Sequence, residues 1–171
     1  MKIILVGYMG SGKSTVAAKL AEILQIENKD LDNCIEKSQN LSIKNIFSQK
    51  GELFFRKIEH HVFKELLSHP DNFIISTGGG TPCYYNNDEW LNGANCKSIF
   101  LKATVDTLFS RLQFEKHNRP LIAALNNDDA KTFIAKHLFE RNYFYNKATY
   151  TVNVDDKTVS EIVAEIQLLL T

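Results

Sequence analysis

The strongest constraint on this chain is a glycine-rich segment close to its amino terminus, residues 7–14, with the sequence GYMGSGKS. The segment matches the pattern GxxxxGK[ST] at every fixed position, and it lies between an apolar run at 3–6 and an amphipathic stretch at 13–24. Glycines let the backbone curl around phosphate groups with its N–H groups pointing inwards, and the N-terminus of a following helix adds partial positive charge. We therefore interpret it as a phosphate-binding loop (P-loop) rather than as a turn that serves only as a helix entry.

The loop contains two side chains that phosphate transfer needs. Lys13 can reach the β- and γ-phosphates of a nucleoside triphosphate, and the Ser14 hydroxyl can bind Mg²⁺. The residues expected to contact ATP here are Gly10, Ser11, Gly12, Lys13, Ser14 and Thr15. The sequence has no guanine-reading NKxD segment, which argues against a GTPase, and 171 residues are few for a motor or transport ATPase. These observations favour a small-molecule kinase.

The rest of the sequence alternates short apolar runs with longer segments of helical period, which predicts an α/β fold with a parallel sheet and helices on both faces. Strands are expected at 3–6, just before 30, and at 73–75, 98–101 and 150–152; helices are expected at 13–24, 52–67, 104–114, 128–145 and 158–170. Stripes of core-facing residues are expected at Val16, Leu20, Ile23 and Leu24, and at Val159, Ile162, Val163, Ile166, Leu169 and Leu170. The second stripe needs no functional explanation.

Composition, charge and cysteine content exclude several classes of function. The 20 basic side chains balance the 20 acidic ones, whereas binding to a nucleic-acid backbone favours a basic excess, so we expect no nucleic-acid partner. The cysteines Cys34, Cys83 and Cys96 lack the paired spacing of a disulfide framework or a zinc site. The run at 3–6 is too short for a signal peptide, and no run approaches the ~20 residues of a membrane span. We expect a cytoplasmic, monomeric protein of one domain, with reduced thiols and no membrane partner.

Two carboxylates follow the weak second strand, Asp30 and Asp32. Their spacing would place both on one side of an extended segment, where one could anchor Mg²⁺ through water and the other could accept hydrogen bonds from substrate hydroxyls. The alternative is that they only cap the helix that begins before Cys34.

Arg56 and Glu59 are three residues apart in a segment expected to be helical. An arginine oriented by a carboxylate is suited to bidentate capture of an anionic substrate. Taken alone, such a spacing is also typical of an ordinary surface ion pair.

Three consecutive glycines, Gly78, Gly79 and Gly80, follow the apolar strand at 73–75. Such a run costs conformational entropy unless the backbone must approach something closely, so we favour a ligand cradle over a plain turn. Further along, Arg119 lies in a long polar stretch of the kind expected for a mobile lid, and Arg141 lies in the following helix.

Together these motifs resemble those of the shikimate kinase family, a group of small P-loop kinases, and the resemblance covers essentially the whole chain in order. It implies a three-layer, five-stranded parallel sheet within a single P-loop kinase domain spanning 1–171. It also implies two insertions in that domain, a mobile lid at roughly 112–128 and a substrate-binding helical region at roughly 32–62.

The resemblance implies a role for each motif. The expected catalytic residues are Lys13, Asp32 and Arg119; the expected shikimate-binding residues are Asp32, Arg56, Gly78, Gly79, Gly80 and Arg141; and the expected metal-binding residues are Ser14 and Asp30. Arg56 and Arg141 would bind the shikimate carboxylate, and Arg119, in an RPL setting, would reach over ATP. Arg111 lies near the position of an adenine-stacking arginine, whereas the proline of the family's late adenine loop is absent around Asp155.

The resulting hypothesis is transfer of the ATP γ-phosphate to the 3-hydroxyl of shikimate, in the route to aromatic amino acids, with Mg²⁺ as cofactor. Two alternatives remain open at this stage. The chain could phosphorylate another small hydroxy acid such as gluconate, because the phosphate loop and lid would be shared. It could also be a non-catalytic nucleotide-binding regulator, although Lys13, Ser14, Asp32 and Arg119 are all intact.

Overall fold

A computed structural model describes residues 1–114 and 125–171. The strands are β1 (Lys2–Val6), β2 (Glu27–Asp30), β3 (Phe73–Ser76), β4 (Cys96–Lys102) and β5 (Tyr150–Asn153). They form one parallel, five-stranded sheet in the order β2-β3-β1-β4-β5. The α/β class and all five strands expected from the sequence are confirmed.

Six helices surround the sheet within the described part of the chain: α1 (Lys13–Leu24), α2 (Leu31–Gln39), α3 (Ile43–Ser68), α4 (Val105–Phe114), α5 (Asn127–Tyr145) and α6 (Val159–Leu170). Two 3₁₀ turns, Thr81–Cys83 and Asn87–Asn92, lie between β3 and β4. Gly51 has non-helical angles, φ 82° and ψ 172°, and divides α3 into two pieces, so the helix predicted from residue 52 corresponds to its second piece. The strand and helix pattern did not predict α2 or the first piece of α3 as separate helices, but both lie in the helical region at roughly 32–62 that the family resemblance implied. None of the described helices has the length and apolar character needed to cross a membrane.

The core lies on both faces of the sheet. Every residue of β1 and β3 is buried, and successive side chains of a strand point to opposite faces, so both faces must be covered. Helix α1 packs against α6, α2 against α3, and α4 against α5. One core prediction was wrong: Ile23 is 44% exposed, because Ala17 and Ala21 take the buried face of α1 beside Val16 and Leu20.

The sheet order creates a crevice beside its central strand. The chain leaves β1 towards one edge of the sheet and leaves β3 towards the other, and ligands of such sheets bind at this reversal. Leu5 pairs with Ser76 across the two strands, and the Thr77 hydroxyl donates to the Leu5 carbonyl at 2.8 Å. The glycine-rich loop after β1 is thereby held next to the triple glycine after β3.

Candidate active site

The loop after β1 has the backbone conformation that its glycines were expected to allow. Gly10 and Gly12 have φ angles of 82° and 94°, a region that residues with side chains seldom adopt. A side chain at Gly7 would place its Cβ 2.8 Å from the Leu101 carbonyl oxygen. The Lys13 ammonium is buried within the loop, where it donates to the Gly7 and Tyr8 carbonyl oxygens at 2.8 and 3.0 Å. The loop is therefore closed around its own lysine at the start of α1.

Ser14 and Asp30 meet across the gap between α1 and the end of β2. The Ser14 hydroxyl donates to Asp30 Oδ2 at 3.3 Å. A hydroxyl with a carboxylate is a donor set that Mg²⁺ accepts, and in phosphate-transfer sites Mg²⁺ takes most of its ligands from water and substrate phosphates. In residues 1–114 and 125–171 no group of three or more His, Cys, Asp or Glu side chains could hold a metal by itself. Ser14 and Asp30 thus fit Mg²⁺ bound mainly through a nucleotide.

The expectation that Asp30 and Asp32 share one extended segment was wrong. Asp30 ends β2 and is the N-cap of α2, where its Oδ1 accepts from the Asn33 amide at 3.1 Å; Asp32 lies in the first helical turn. The capping alternative therefore holds for Asp30, but it uses only one carboxylate oxygen. Oδ2 of the same residue faces Ser14, so capping and metal binding are compatible.

Asp32 is a carboxyl group of the site whose pKa is raised. Burial, together with the neighbouring Asp30 and Glu59 carboxylates, raises the pKa of Asp32 to about 6, against the lowering effect of Lys13. Its Oδ1 lies 3.5 Å from the position that a Cβ on Gly78 would occupy. A carboxylate with this pKa is ionised at neutral pH yet is basic enough to accept a proton.

Arg56 and Glu59 form a buried pair, so the surface-pair alternative was wrong. Arg56 Nη1 donates to Glu59 Oε2 at 2.8 Å, and the two residues are 9% and 0% exposed. The other oxygen of Glu59 accepts from the Thr81 hydroxyl at 2.7 Å. The Arg56 guanidinium also lies over the Tyr84 ring, 4.2 Å from its centroid. Its direction is fixed by a carboxylate and an aromatic face, while its Nε has no hydrogen-bond partner among residues 1–114 and 125–171.

The triple glycine is the point at which the predicted acceptor residues converge. A Cβ on Gly80 would lie 2.6 to 2.9 Å from three atoms of the Arg56 guanidinium, and a Cβ on Gly79 would lie 3.2 Å from Arg141 Nη1. A Cβ on Gly78 would lie 3.1 Å from Glu59. The absence of side chains lets two guanidinium groups approach consecutive residues of the backbone, so the cradle interpretation has a steric basis.

Arg141 reaches this point from α5. Its guanidinium lies 5.6 Å from the centroid of the Tyr8 ring in the P-loop, and it is half-buried. The buried Tyr145, one turn later, donates its hydroxyl to the Gly79 carbonyl and so anchors the middle glycine to the same helix. The helix therefore fixes both Arg141 and the backbone that the arginine faces.

A single cavity of about 550 Å³ joins the phosphate loop to the triple glycine. Among the predicted residues its lining includes Gly10, Ser11, Gly12, Lys13, Ser14, Thr15, Asp30, Asp32, Gly78, Gly79 and Arg111. Arg111 donates to the Gly10 and Ser11 carbonyl oxygens at 3.3 Å and to the Val154 carbonyl at 3.2 Å, so it links the loop to the segment after β5. Arg119 and most of the predicted lid lie outside the described residues, whereas the ends of that lid belong to α4 and α5.

Seven residues that line the cavity were not predicted to have a functional role. They are Met9, Val16, Thr77, Phe114, Lys157, Val159 and Ile162. The apolar pattern of α6 indicated core packing alone, yet the first turn of this helix faces the cavity. The sequence feature that could have indicated a role for Lys157, Val159 and Ile162 is their place in the chain. The segment after β5 follows a parallel strand, so it must lie at the same end of the sheet as the P-loop.

Comparison with known proteins gives one consistent result. The shikimate kinase family model matches residues 9–171. The shikimate kinase of Flavobacterium johnsoniae is 54% identical over 165 residues, which cover 96% of this chain and 96% of that protein. The chain belongs to the shikimate kinase family. The family expected from the sequence motifs is thus confirmed.

Solved structures of shikimate kinases have the same fold. The crystal structure of the shikimate kinase from Bacteroides thetaiotaomicron has a TM-score of 0.91 at 35% identity, covering 99% of this chain and 98% of that one. The shikimate kinase from Acinetobacter baumannii, solved in complex with shikimate, has a TM-score of 0.87 at 32% identity over 99% and 92% of the two chains. The described residues therefore have the three-layer, five-stranded P-loop kinase fold that was expected.

Proposed function

We propose that this chain transfers the γ-phosphate of ATP to the 3-hydroxyl of shikimate, producing shikimate 3-phosphate and ADP. The observation that carries the proposal is the placement of two guanidinium groups, from Arg56 and Arg141, against consecutive glycines beside the cavity that begins at the phosphate loop. Two arginines at one point favour a small acid with a carboxylate. Membership of the shikimate kinase family, and the shikimate complex of the Acinetobacter baumannii relative, support the choice of acid.

On the nucleotide side, the loop amides and Lys13 would hold the triphosphate. The ammonium of Lys13 is retained at the loop by the Gly7 and Tyr8 carbonyl oxygens, and we propose that it exchanges these acceptors for phosphate oxygens. Ser14 and Asp30 would hold Mg²⁺, which when bound neutralises part of the phosphate charge. Arg111 would support the P-loop and the part of the site that binds the adenine of ATP. Arg119 stays a prediction, because it lies outside the described residues.

On the acceptor side, Arg56 and Arg141 would fix the carboxylate so that the ring presents one hydroxyl to the phosphate. Asp32 lies between the phosphate loop and Gly78 and lines the same cavity, so it is placed to orient that hydroxyl and to accept its proton. Proton transfer to a carboxylate whose pKa is about 6 leaves an alkoxide-like oxygen directed at the γ-phosphate. Positioning and charge neutralisation therefore supply most of the catalysis, as phosphoryl transfer requires.

The deciding experiment is a coupled assay of ADP release with ATP and a panel of acceptors: shikimate, gluconate, quinate and no acceptor. We expect turnover with shikimate, loss of turnover without Mg²⁺, and little with the other acids. Turnover with gluconate alone would replace the proposal by another hydroxy-acid kinase. ATP binding without turnover on any acceptor would instead indicate a non-catalytic nucleotide-binding regulator. We further propose a cytoplasmic monomer that binds neither nucleic acid nor membranes, in keeping with the balance of 20 basic and 20 acidic side chains.

A further inference from the structure

One histidine lies between the two halves of the site without being part of either. His137 precedes Arg141 by one turn of α5, and its Nε2 is 3.5 Å from Arg141 Nη2, at the long end of hydrogen bonding. Its Nδ1 is 3.1 Å from the hydroxyl of Tyr8 in the P-loop, and the two rings meet edge to face with centroids 5.8 Å apart. On its remaining side the ring packs against Phe133 at 4.9 Å. This imidazole therefore contacts the proposed carboxylate-binding arginine and the phosphate loop at once.

The contacts determine which nitrogen carries the proton. A guanidinium has five N–H donors and no acceptor, so His137 Nε2 can bond to Arg141 only if Nε2 is unprotonated. A neutral imidazole then carries its proton on Nδ1, which donates to the Tyr8 oxygen. Protonation of Nε2 would remove the acceptor and place two cations next to each other.

The charges around the ring favour this neutral form. Burial lowers the pKa of His137 from its usual value of 6.5, and Arg141 lowers it further. Arg56 from α3 and Lys136 from the same helix act in the same direction, whereas Glu140 opposes them; the group facing the ring from the phosphate loop is the Tyr8 hydroxyl. At neutral pH the imidazole is uncharged and can accept from Arg141.

We propose that His137 is a positioning residue, whose neutral Nε2 holds the Arg141 guanidinium towards Gly79 and whose Nδ1–H ties Arg141 to Tyr8 of the phosphate loop. The proposal deepens the proposed function and rests on it, because it requires Arg141 to bind the carboxylate of the acceptor. An arginine side chain that rotates freely lowers the affinity for a small anionic ligand, because the rotatable bonds of the arginine must be fixed on binding and this costs conformational entropy. Because His137, one turn earlier on α5, already restrains Arg141 in the free protein, part of this entropy cost is not incurred on ligand binding. Protonation of His137 would release Arg141 and weaken acceptor binding.

The test uses two substitutions that separate the acceptor atom from the ring. His137→Phe keeps an aromatic ring against Tyr8 and Phe133 but has no acceptor, and His137→Gln offers an amide oxygen near the position of Nε2 but does not titrate. At pH 7.5 we expect His137→Phe to raise the shikimate KM by about five- to tenfold with the ATP KM changed less than about twofold, and we expect His137→Gln to stay within about twofold of the parent for both. The exposed His61→Gln is the matched control.

The pH profile supplies a readout that a merely structural role would not change. Between pH 7.5 and about pH 5 we expect the shikimate KM of the parent and of His61→Gln to rise several-fold more than that of His137→Gln. Protonation of Asp32 or of shikimate affects all three proteins equally, so the difference reports on His137. Equal pH profiles for the parent and His137→Gln would overturn the proposal, as would an unchanged shikimate KM in His137→Phe.

A double-mutant cycle separates failure of this inference from failure of the proposed function. Arg141→Ala alone should raise the shikimate KM, and His137→Phe should add little in that background because its effect acts through Arg141. If Arg141→Ala leaves the shikimate KM unchanged, the proposed function of Arg141 is wrong and this inference falls with it. If Arg141→Ala raises the KM and the two effects are fully additive, only the inference about His137 is wrong.

Discussion

The Arg56 guanidinium and the Glu59 carboxylate are 2.8 Å apart in the interior of the protein, and Glu59 has no exposed surface. A second carboxylate, Glu52, approaches the Nε of the same arginine at 3.6 Å but is 56% exposed. The two ion pairs of Arg56 thus differ in burial while sharing one partner. In the buried pair, Glu59 also accepts a hydrogen bond from the Thr81 hydroxyl. This bond connects the arginine, through Glu59, to the turn after the triple glycine.

We expect Glu59→Gln to destabilise the protein by about 3 kcal/mol, because Arg56 would keep its charge in the interior without a full counter-charge. The substitution should also raise the shikimate KM by about tenfold, since the guanidinium loses the group that orients it. Glu52→Gln is the matched control and should change the free energy of unfolding by less than about 0.5 kcal/mol. Urea denaturation and steady-state kinetics measure both effects. Equal effects of the two substitutions would contradict the structural distinction between the pairs.

Gly80→Ala is expected to impair acceptor binding selectively. Its backbone angles, φ −95° and ψ −10°, suit alanine, but a Cβ there would lie 2.6 Å from Arg56 Nη2, so the guanidinium must move. We expect the shikimate KM to rise by about tenfold or more, with the ATP KM unchanged. Gly93→Ala is the control, because the nearest atom to its Cβ would be Cys96 Sγ at 3.7 Å. Normal shikimate kinetics in Gly80→Ala would show that the position of Arg56 is not critical.

Asp32→Asn is expected to stabilise the metal-free protein while removing activity. Because the pKa of Asp32 is about 6 in the folded protein and 3.8 as a free side chain, the folded state binds the proton more tightly. Its carboxylate therefore lowers the stability as pH rises from about 4 to about 6, and the loss is constant above that range. Allowing for partial exposure, Asp32→Asn should gain about 1–2 kcal/mol at pH 8 and almost nothing near pH 4. Thermal unfolding in EDTA, without nucleotide, measures this; a gain of equal size at both pH values would indicate another cause.

The sequence predicted those parts of the fold and site that rest on local patterns. Four of the five strands contain apolar or β-rich runs, whereas β2 is the polar segment Glu27–Asp30; the loop at 7–14 is specified by its glycines together with Lys13. The convergence of Arg56, Arg141 and the triple glycine followed from the resemblance to a family rather than from any local rule, since these residues are separated by more than twenty positions along the chain.

The missed features are those that only tertiary packing determines. Helix α2 is only nine residues long and mostly polar, and Asp32 was expected on an extended segment instead of in its first turn. The burial of Glu59 could not be predicted from its spacing of three residues from Arg56, because ion pairs on the surface of helices have the same spacing. The contact of His137 with Tyr8 joins positions 129 residues apart, and the four-residue spacing between His137 and Arg141 was the only part of it visible in the sequence.

Asp30 is expected to serve two purposes that different substitutions separate. Asn is as good an N-cap as Asp, so Asp30→Asn should keep the bond to the Asn33 amide and change the stability by less than about 0.5 kcal/mol, whereas Asp30→Ala should lose about 1 kcal/mol. Both substitutions remove the negative charge beside Ser14, so both should raise the Mg²⁺ concentration needed for half-maximal rate by about tenfold. Titrations of activity with Mg²⁺ at saturating ATP and shikimate, together with urea denaturation, measure the two properties. An unchanged Mg²⁺ requirement in Asp30→Asn would leave the residue with the capping role alone.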